Sequence, residues 1–224
     1  MLNVDLGGKN ALVVGGTGGI GLEIALLLKD LHADVVVAGR HSVEKSHGLR
    51  TVTVDFGLGP GELSRPEIHS LLEKCDILVF SYGPFVQKKL HETTADDWIR
   101  MAVDNYALPG IAVSTVLPGM VERKFGRILL FGGTRTFQIN PYRTNAAYAG
   151  AKTGISVIIR SLSAEYSKHG ITCNGIFPGF TRNAPGTDFA VGERTVAEQA
   201  VNLLCSPDLN GVLLSVDRGW NPGA

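Results

Sequence analysis

The chain has few of the features that mark secreted, membrane-spanning or nucleic-acid-binding proteins. Of its 224 residues only Cys75, Cys173 and Cys205 are cysteine. They are odd in number, far apart and outside any C-x-x-C, so they read as free buried thiols in a reducing compartment. The six histidines show no ligand spacing, and no metal site is expected. No stretch approaches the ~18 uninterrupted apolar residues of a membrane span, and "MLNVDLGGKNALVV" lacks a signal-peptide core. These absences predict a cytoplasmic protein with no membrane partner. Lys plus Arg (21) balances Asp plus Glu (21), leaving no global field to hold nucleic acid. A charged ligand must therefore be met locally. Repeats, low-complexity tracts and linkers are also missing, which predicts a single domain over residues 1–224.

What is present is an alternation. Ala11–Val14, Asp34–Ala38, Thr51–Val54, Ile77–Phe80, Arg127–Phe131, Thr172–Phe177 and Gly211–Val216 read as short strands. Their near-continuous apolar content suits a parallel sheet covered on both faces. Gly19–Leu31, Pro66–Lys74, Ala95–Val116, Ala146–His169 and Val196–Cys205 carry helical periodicity between them. Thr94 with Asp97 predicts a helix start, and Gly170 a helix end. The implied fold class is α/β, a Rossmann-type doubly wound parallel sheet with helices on both faces. From Arg40 to Thr51 there is little room for a helix, so that crossover is expected to be mostly loop. The polar segment 181–195, after the sixth strand, lies on the edge where such sheets bind ligands.

"VVGGTGGIGLEIA" joins the first strand to the first helix. Gly15, Gly19 and Gly21 fit G-x-x-x-G-x-G, and Gly16, Gly18 and Gly21 fit G-x-G-x-x-G. Either pattern lets the backbone approach a pyrophosphate that rests on the helix N-terminus. The second strand ends "VVVAGRHS", with Gly39 near the place where a carboxylate would hold a ribose 2′-hydroxyl. Arg40 follows, and a guanidinium suits a 2′-phosphate in charge and geometry. NADP(H) is favoured over NAD.

"YAGAK" places Tyr148 and Lys152 on one helix face. A phenol with a pKa of about 10 is a poor base at neutral pH. A lysine cation roughly 5 Å away, at an effective dielectric near 20, would favour the phenolate by about 3 kcal/mol, or about 2 pKa units. Such a tyrosine could exchange a proton with a carbonyl oxygen or an alcohol.

The glycine turn, Arg40, "VDF" at 54–56, Asn105, "GRILLFG", "AAYAGAK" and "PGFT" at 178–181 follow one another over nearly the whole chain. In this order they resemble the short-chain dehydrogenase/reductase family, and within it the 3-oxoacyl-thioester-reductase-like members. The resemblance implies hydride transfer between a nicotinamide and a carbonyl or alcohol substrate, with Tyr148 as acid/base. Lys152 would hold the ribose hydroxyls, and Asn105 would hold a water in the proton relay. Expected cofactor contacts are Gly15, Thr17, Gly18, Gly19, Ile20 and Gly21 in the turn, and Arg40 with Ser42 after the second strand. Asp55 with Phe56, then Ser81, Tyr82 and Gly83, then Pro178, Gly179 and Thr181, together with Tyr148 and Lys152, complete the set. The helices at 95–116 and 146–169 correspond to those that pair subunits, implying a homodimer or homotetramer.

Three departures stand out. Val14 replaces a usual threonine, and Phe80-Ser81-Tyr82-Gly83 replaces N-N-A-G. Gly133 aligns with the family's catalytic serine. Thr134, one residue on, could supply the missing hydroxyl, with Thr136 a more distant source; otherwise a substrate oxygen or a water takes its place. A non-catalytic NADP(H) sensor is the alternative reading. An enoyl reductase fits less well because position 145, seven before Lys152, is asparagine, and a sugar-nucleotide epimerase would need a further substrate domain.

Overall fold

The computed structural model describes residues 4–43, 47–181 and 190–219. Seven strands form one sheet in the order β3-β2-β1-β4-β5-β6-β7. They are β1 Asn10–Val14, β2 Asp34–Gly39, β3 Arg50–Thr53, β4 Ile77–Phe80, β5 Gly126–Phe131, β6 Ile171–Pro178 and β7 Leu213–Val216. Every neighbouring pair is parallel. The helices are α1 Gly19–Asp30, α2 Pro66–Glu73, α3 Ala95–Ala102, α4 Leu108–Arg123, α5 Ala146–Tyr166 and α6 Glu193–Cys205.

Strand side chains alternate between two apolar layers. Leu12, Val36, Leu78 and Ile128 pack with residues of α2, α4 and α5 on one face. Val13, Val37, Val79 and Leu129 pack with α1 and α6 on the other. Covering both faces removes any need for polar residues along the strands, and so explains the continuous apolar runs.

The expected helix boundaries hold to within a few residues at most ends. Thr94 and Asp97 form a reciprocal capping box at α3, and Gly170 takes the left-handed conformation (φ 73°) that ends the α5 region. Two differences are larger. Helix α4 continues past Val116 and through Pro118 to Arg123. Val113, Val116 and Met120 are all buried, so the apolar stripe outweighs the one backbone bond that an interior proline removes. Helix α6 begins at Glu193 rather than Val196, placing a carboxylate in its first turn. Between α3 and α4 the chain winds one π-helical turn, Val103–Ala107, without breaking direction. No helix among the described residues is long and apolar enough to cross a membrane.

The strand order reverses between β1 and β4, and the crevice at their carboxyl ends is where open α/β sheets bind ligands. The glycine turn after β1, Ser81–Gly83 after β4, and 132–136 after β5 all emerge there.

Candidate active site

Gly15 (φ 80°) and Gly19 (φ 55°) adopt a backbone that other residues rarely take. A β-carbon on Gly15 would lie 2.7 Å from the Tyr82 nitrogen and 2.9 Å from Ser81 Oγ, so the turn presses against the end of β4. Gly18, the N-cap of α1, faces open space: a β-carbon there would meet nothing within 4 Å. Among the described residues no side-chain hydrogen bond caps α1, and its first turn holds no acidic residue. Its N–H groups are thus left for an anion, which fits the pyrophosphate of a dinucleotide. Glu193 stands on the same rim, its Oε1 3.5 Å from the β-carbon position of Gly19.

Beside the turn is a cavity of about 390 Å³ lined by Gly15, Arg40, Asp55, Ser81, Tyr82, Gly83 and, from α3, Arg100. Thr17 is folded over Gly39, its Oγ1 2.5 Å from where a β-carbon would be. A carboxylate at position 39 would therefore need Thr17 to move. Arg40 is exposed at the mouth, Asp55 accepts from the Gly57 N–H at 3.0 Å, and Ser42 lies on the surface outside the cavity lining. Phe56 turns inward, 1% exposed, and supports the Tyr82 ring at 5.6 Å between centroids. Burial, then the carboxylates of Asp104 and Asp55, push the Tyr82 phenol up to about 12. Ile20 packs on the apolar layer beneath α1.

A second cavity, about 550 Å³, opens beyond β5 and β6. Tyr148 projects into it from the first turn of α5, with Gly133, Thr134 and Thr136 on one side and Pro178, Gly179 and Thr181 on another. Lys152, one turn along α5, is 4% exposed. It donates to the Phe131 carbonyl at 2.9 Å and lies 5.9 Å from the centre of the Tyr148 ring. Asn105 is fully buried in the π turn and donates to the Pro84 carbonyl at 3.0 Å. Its Oδ1 has no hydrogen-bond partner among the described residues. Gly83 passes between the two: a β-carbon there would be 2.5 Å from Asn105 Oδ1 and 2.8 Å from Lys152 Nζ. Asn105, Lys152 and Tyr148 thus form one polar line under a glycine. The π turn is what aims Asn105 inward, a use often seen for such bulges at functional sites.

This geometry can be set beside known proteins. The short chain dehydrogenase family model matches residues 62–190. The chain is 30% identical over 185 residues to a 3-oxoacyl-(acyl-carrier-protein) reductase FabG of Rickettsia conorii, covering 80% of this chain and 76% of the relative. It is 28% identical over 188 residues to D-beta-hydroxybutyrate dehydrogenase of Rhizobium meliloti, covering 77% and 71%. A solved short chain dehydrogenase/reductase family protein superposes with a TM-score of 0.86 at 28% identity, covering 96% of this chain and 98% of that one.

The chain belongs to the short-chain dehydrogenase/reductase family. It is an oxidoreductase of a family that works with a nicotinamide cofactor, and the glycine turn and the open α1 N-terminus described above fit such a group.

Gly133, the position that the resemblance aligns with the family's catalytic serine, has no room to spare. It is buried against Tyr148: a β-carbon would stand 2.8 Å from Cε1 and 3.1 Å from the hydroxyl oxygen of the tyrosine. Neighbouring Gly132 is pressed by the Phe177 ring. Of the two threonines, Thr136 is buried and closed on Gly133, accepting from its N–H at 2.9 Å and donating to its carbonyl at 3.1 Å. Thr134 faces the cavity and donates to the Pro178 carbonyl at 2.9 Å.

The expectation that Lys152 lowers the Tyr148 pKa is not met in this geometry. Burial, with a smaller contribution from Tyr142, pushes the phenol well above its ordinary value, and burial lowers Lys152 to about 7. Desolvation dominates both groups, and the Lys152 amine spends its hydrogen bond on Phe131 rather than on the phenol.

Sequence reading missed several residues of the cavity. Phe85 stands edge-on to Tyr148 at 4.9 Å, Tyr142 donates to the Thr134 carbonyl at 3.0 Å, and Arg143 lies on the rim. All sit in irregular segments whose contacts have no periodic signal. Only the closeness of Tyr142 and Arg143 to the "YAGAK" helix could have pointed to them.

Proposed function

We propose that this protein is an NADP(H)-dependent carbonyl reductase or alcohol dehydrogenase acting on a 3-oxoacyl-like or small carbonyl compound. The observation that carries the reading is the buried line Asn105–Lys152–Tyr148, which ends in a cavity shared with Pro178–Thr181. When bound, the nicotinamide would supply or accept the hydride. Tyr148 would pass its proton to the carbonyl oxygen as the hydride arrives, and Lys152 would hold the ribose hydroxyls once turned from Phe131. The unpartnered Oδ1 of Asn105 suits a water linking the lysine to solvent. Arg40, with Arg100 in the same cavity and no side chain at Gly39, supports NADP(H) over NAD(H).

Thr134 is the hydroxyl best placed to replace the missing serine. It faces the cavity, whereas Thr136 has both its donor and an acceptor position engaged by Gly133. Releasing Pro178 costs about 1 kcal/mol, the net worth of one neutral hydrogen bond. An oxyanion donor is worth about 2.7–4 kcal/mol in the transition state, so the exchange is favourable.

Tyr148→Phe tests the reading, since it keeps the ring and removes only the proton carrier. Turnover over a ketone panel should fall about 10²-fold or more while NADPH affinity changes little. Equal turnover would show that another group moves the proton. Gly133 favours one rival, a non-catalytic NADP(H) sensor, and absence of any turnover in the unmodified protein would select it. The apolar groove between α4 and α5, with Ile111 and Val157 exposed on it, supports a homodimer or homotetramer.

A further inference from the structure

The second cavity is asymmetric in charge. Among the described residues lining it, Phe85, Pro178 and Phe180 supply apolar wall, and Gln87, Asn145 and several threonines supply neutral polar groups. None of these described residues is a carboxylate. Among the described residues Arg143 is the one charged side chain of the lining, and no ion pair engages it. Two bonds brace the segment that carries it. Tyr142 donates to the Thr134 carbonyl at 3.0 Å, and the Lys88 N–H donates to the Thr144 carbonyl at 2.5 Å. The arginine is therefore held on the rim from both sides. The nearby cation Lys88 is already paired with Asp97 at 2.6 Å.

The chain as a whole is electrically balanced, so an anion is drawn only by a local charge. A guanidinium free of protein carboxylates presents a planar fork that matches a carboxylate in two hydrogen bonds. We propose that the cavity takes a carbonyl compound that also bears a carboxylate, the carbonyl at Tyr148 and the carboxylate on Arg143. This rests on Tyr148 being the acid/base of the proposed reaction. It makes Arg143 the residue that selects the substrate by charge.

The test compares three oxo acids of increasing length, 3-oxobutanoate, 4-oxopentanoate and 5-oxohexanoate, with their methyl esters. The esters keep the carbonyl and remove the charge. At one chain length the unmodified protein should favour acid over ester in kcat/KM, and Arg143→Gln should reduce that ratio about 10- to 100-fold. Arg143→Lys should keep part of it, as a charge without the fork. A merely structural arginine would lower acid and ester alike, and that result, or equal use of acid and ester by the unmodified protein, would overturn the assignment.

A binding measurement separates this proposal from the reductase reading. The same oxo acids are titrated by calorimetry into protein saturated with NADP⁺, where no reduction can occur. Binding that is lost in Arg143→Gln, without turnover on any compound, would support the carboxylate site while refuting the reductase. Turnover of neutral ketones together with no Arg143-dependent binding would refute the carboxylate site and leave the reductase standing.

Discussion

Gly133 and Tyr148 are in such close contact that a β-carbon on the glycine would lie 2.8 Å from Cε1 of the ring. The tyrosine occupies part of the room that a side chain at position 133 would need. The methyl of Thr136, 3.1 Å from the same point, closes the other side. Gly133→Ser should therefore not restore a better enzyme, although the backbone at 133 lies outside the left-handed region. Overpacking of this kind costs about 1–3 kcal/mol. Chemical denaturation should show that loss, with turnover no higher than before. A stable variant with raised turnover would mean that the ring yields readily and that the site had lost its hydroxyl rather than moved it.

The two threonines should separate cleanly. Thr134→Val removes the hydroxyl assigned to the substrate, and turnover should fall about 10- to 10³-fold. Its stability cost should be near 1 kcal/mol, from the Pro178 bond alone. Thr136→Val strips a buried partner from the Gly133 N–H and should cost about 1–3 kcal/mol, with the smaller effect on turnover. The opposite ranking in kcat would assign the hydroxyl to Thr136.

Arg40→Ala should weaken NADPH binding by roughly 1.5–3 kcal/mol, the range for a hydrogen bond to a charged group, and hardly alter NADH binding. Fluorescence titration of both cofactors measures it. Tighter NADH than NADPH binding by the unmodified protein would remove the argument from Gly39 and Arg40.

Lys152 should leave a pH signature in the cofactor-free protein. Burial lowers its pKa to about 7, against about 10.4 for an unfolded lysine. Between those values the unfolded chain holds a proton that the folded chain has released, so this residue makes stability rise with pH from about 7 to about 10.4. Below about 7 both states carry the proton, and the penalty for burying the charge is complete. Lys152→Met keeps an apolar stem and abolishes the titration. Melting curves at about pH 6.5 and 9.5 should show the unmodified protein gaining on the variant as pH rises. Parallel shifts in the two proteins would show that Lys152 keeps its proton throughout.

The sequence by itself determined the sheet, its order of elements and the positions of the candidate groups along the chain. Apolar runs of strand length between amphipathic stretches leave a parallel sheet as the arrangement that buries them. The i, i+4 spacing of Tyr148 and Lys152 places them on one side of a helix whatever packs there, and the glycines of the first turn are tied to a backbone that other residues resist. Tertiary structure decided how those groups interact. That Lys152 turns to Phe131 depends on β5 passing behind α5, and the burial raising the Tyr148 pKa depends on Phe85 and Gly133 meeting its ring from loops distant in sequence. That Thr134 bonds Pro178 while Thr136 closes on Gly133 followed from the turn after Gly132, where Phe177 of the neighbouring strand leaves space for nothing but glycine. Periodicity reports which side of an element is buried. It carries no information about which polar partner, among several within reach, a buried side chain will take, because differences of about 1 kcal/mol between hydrogen bonds decide that.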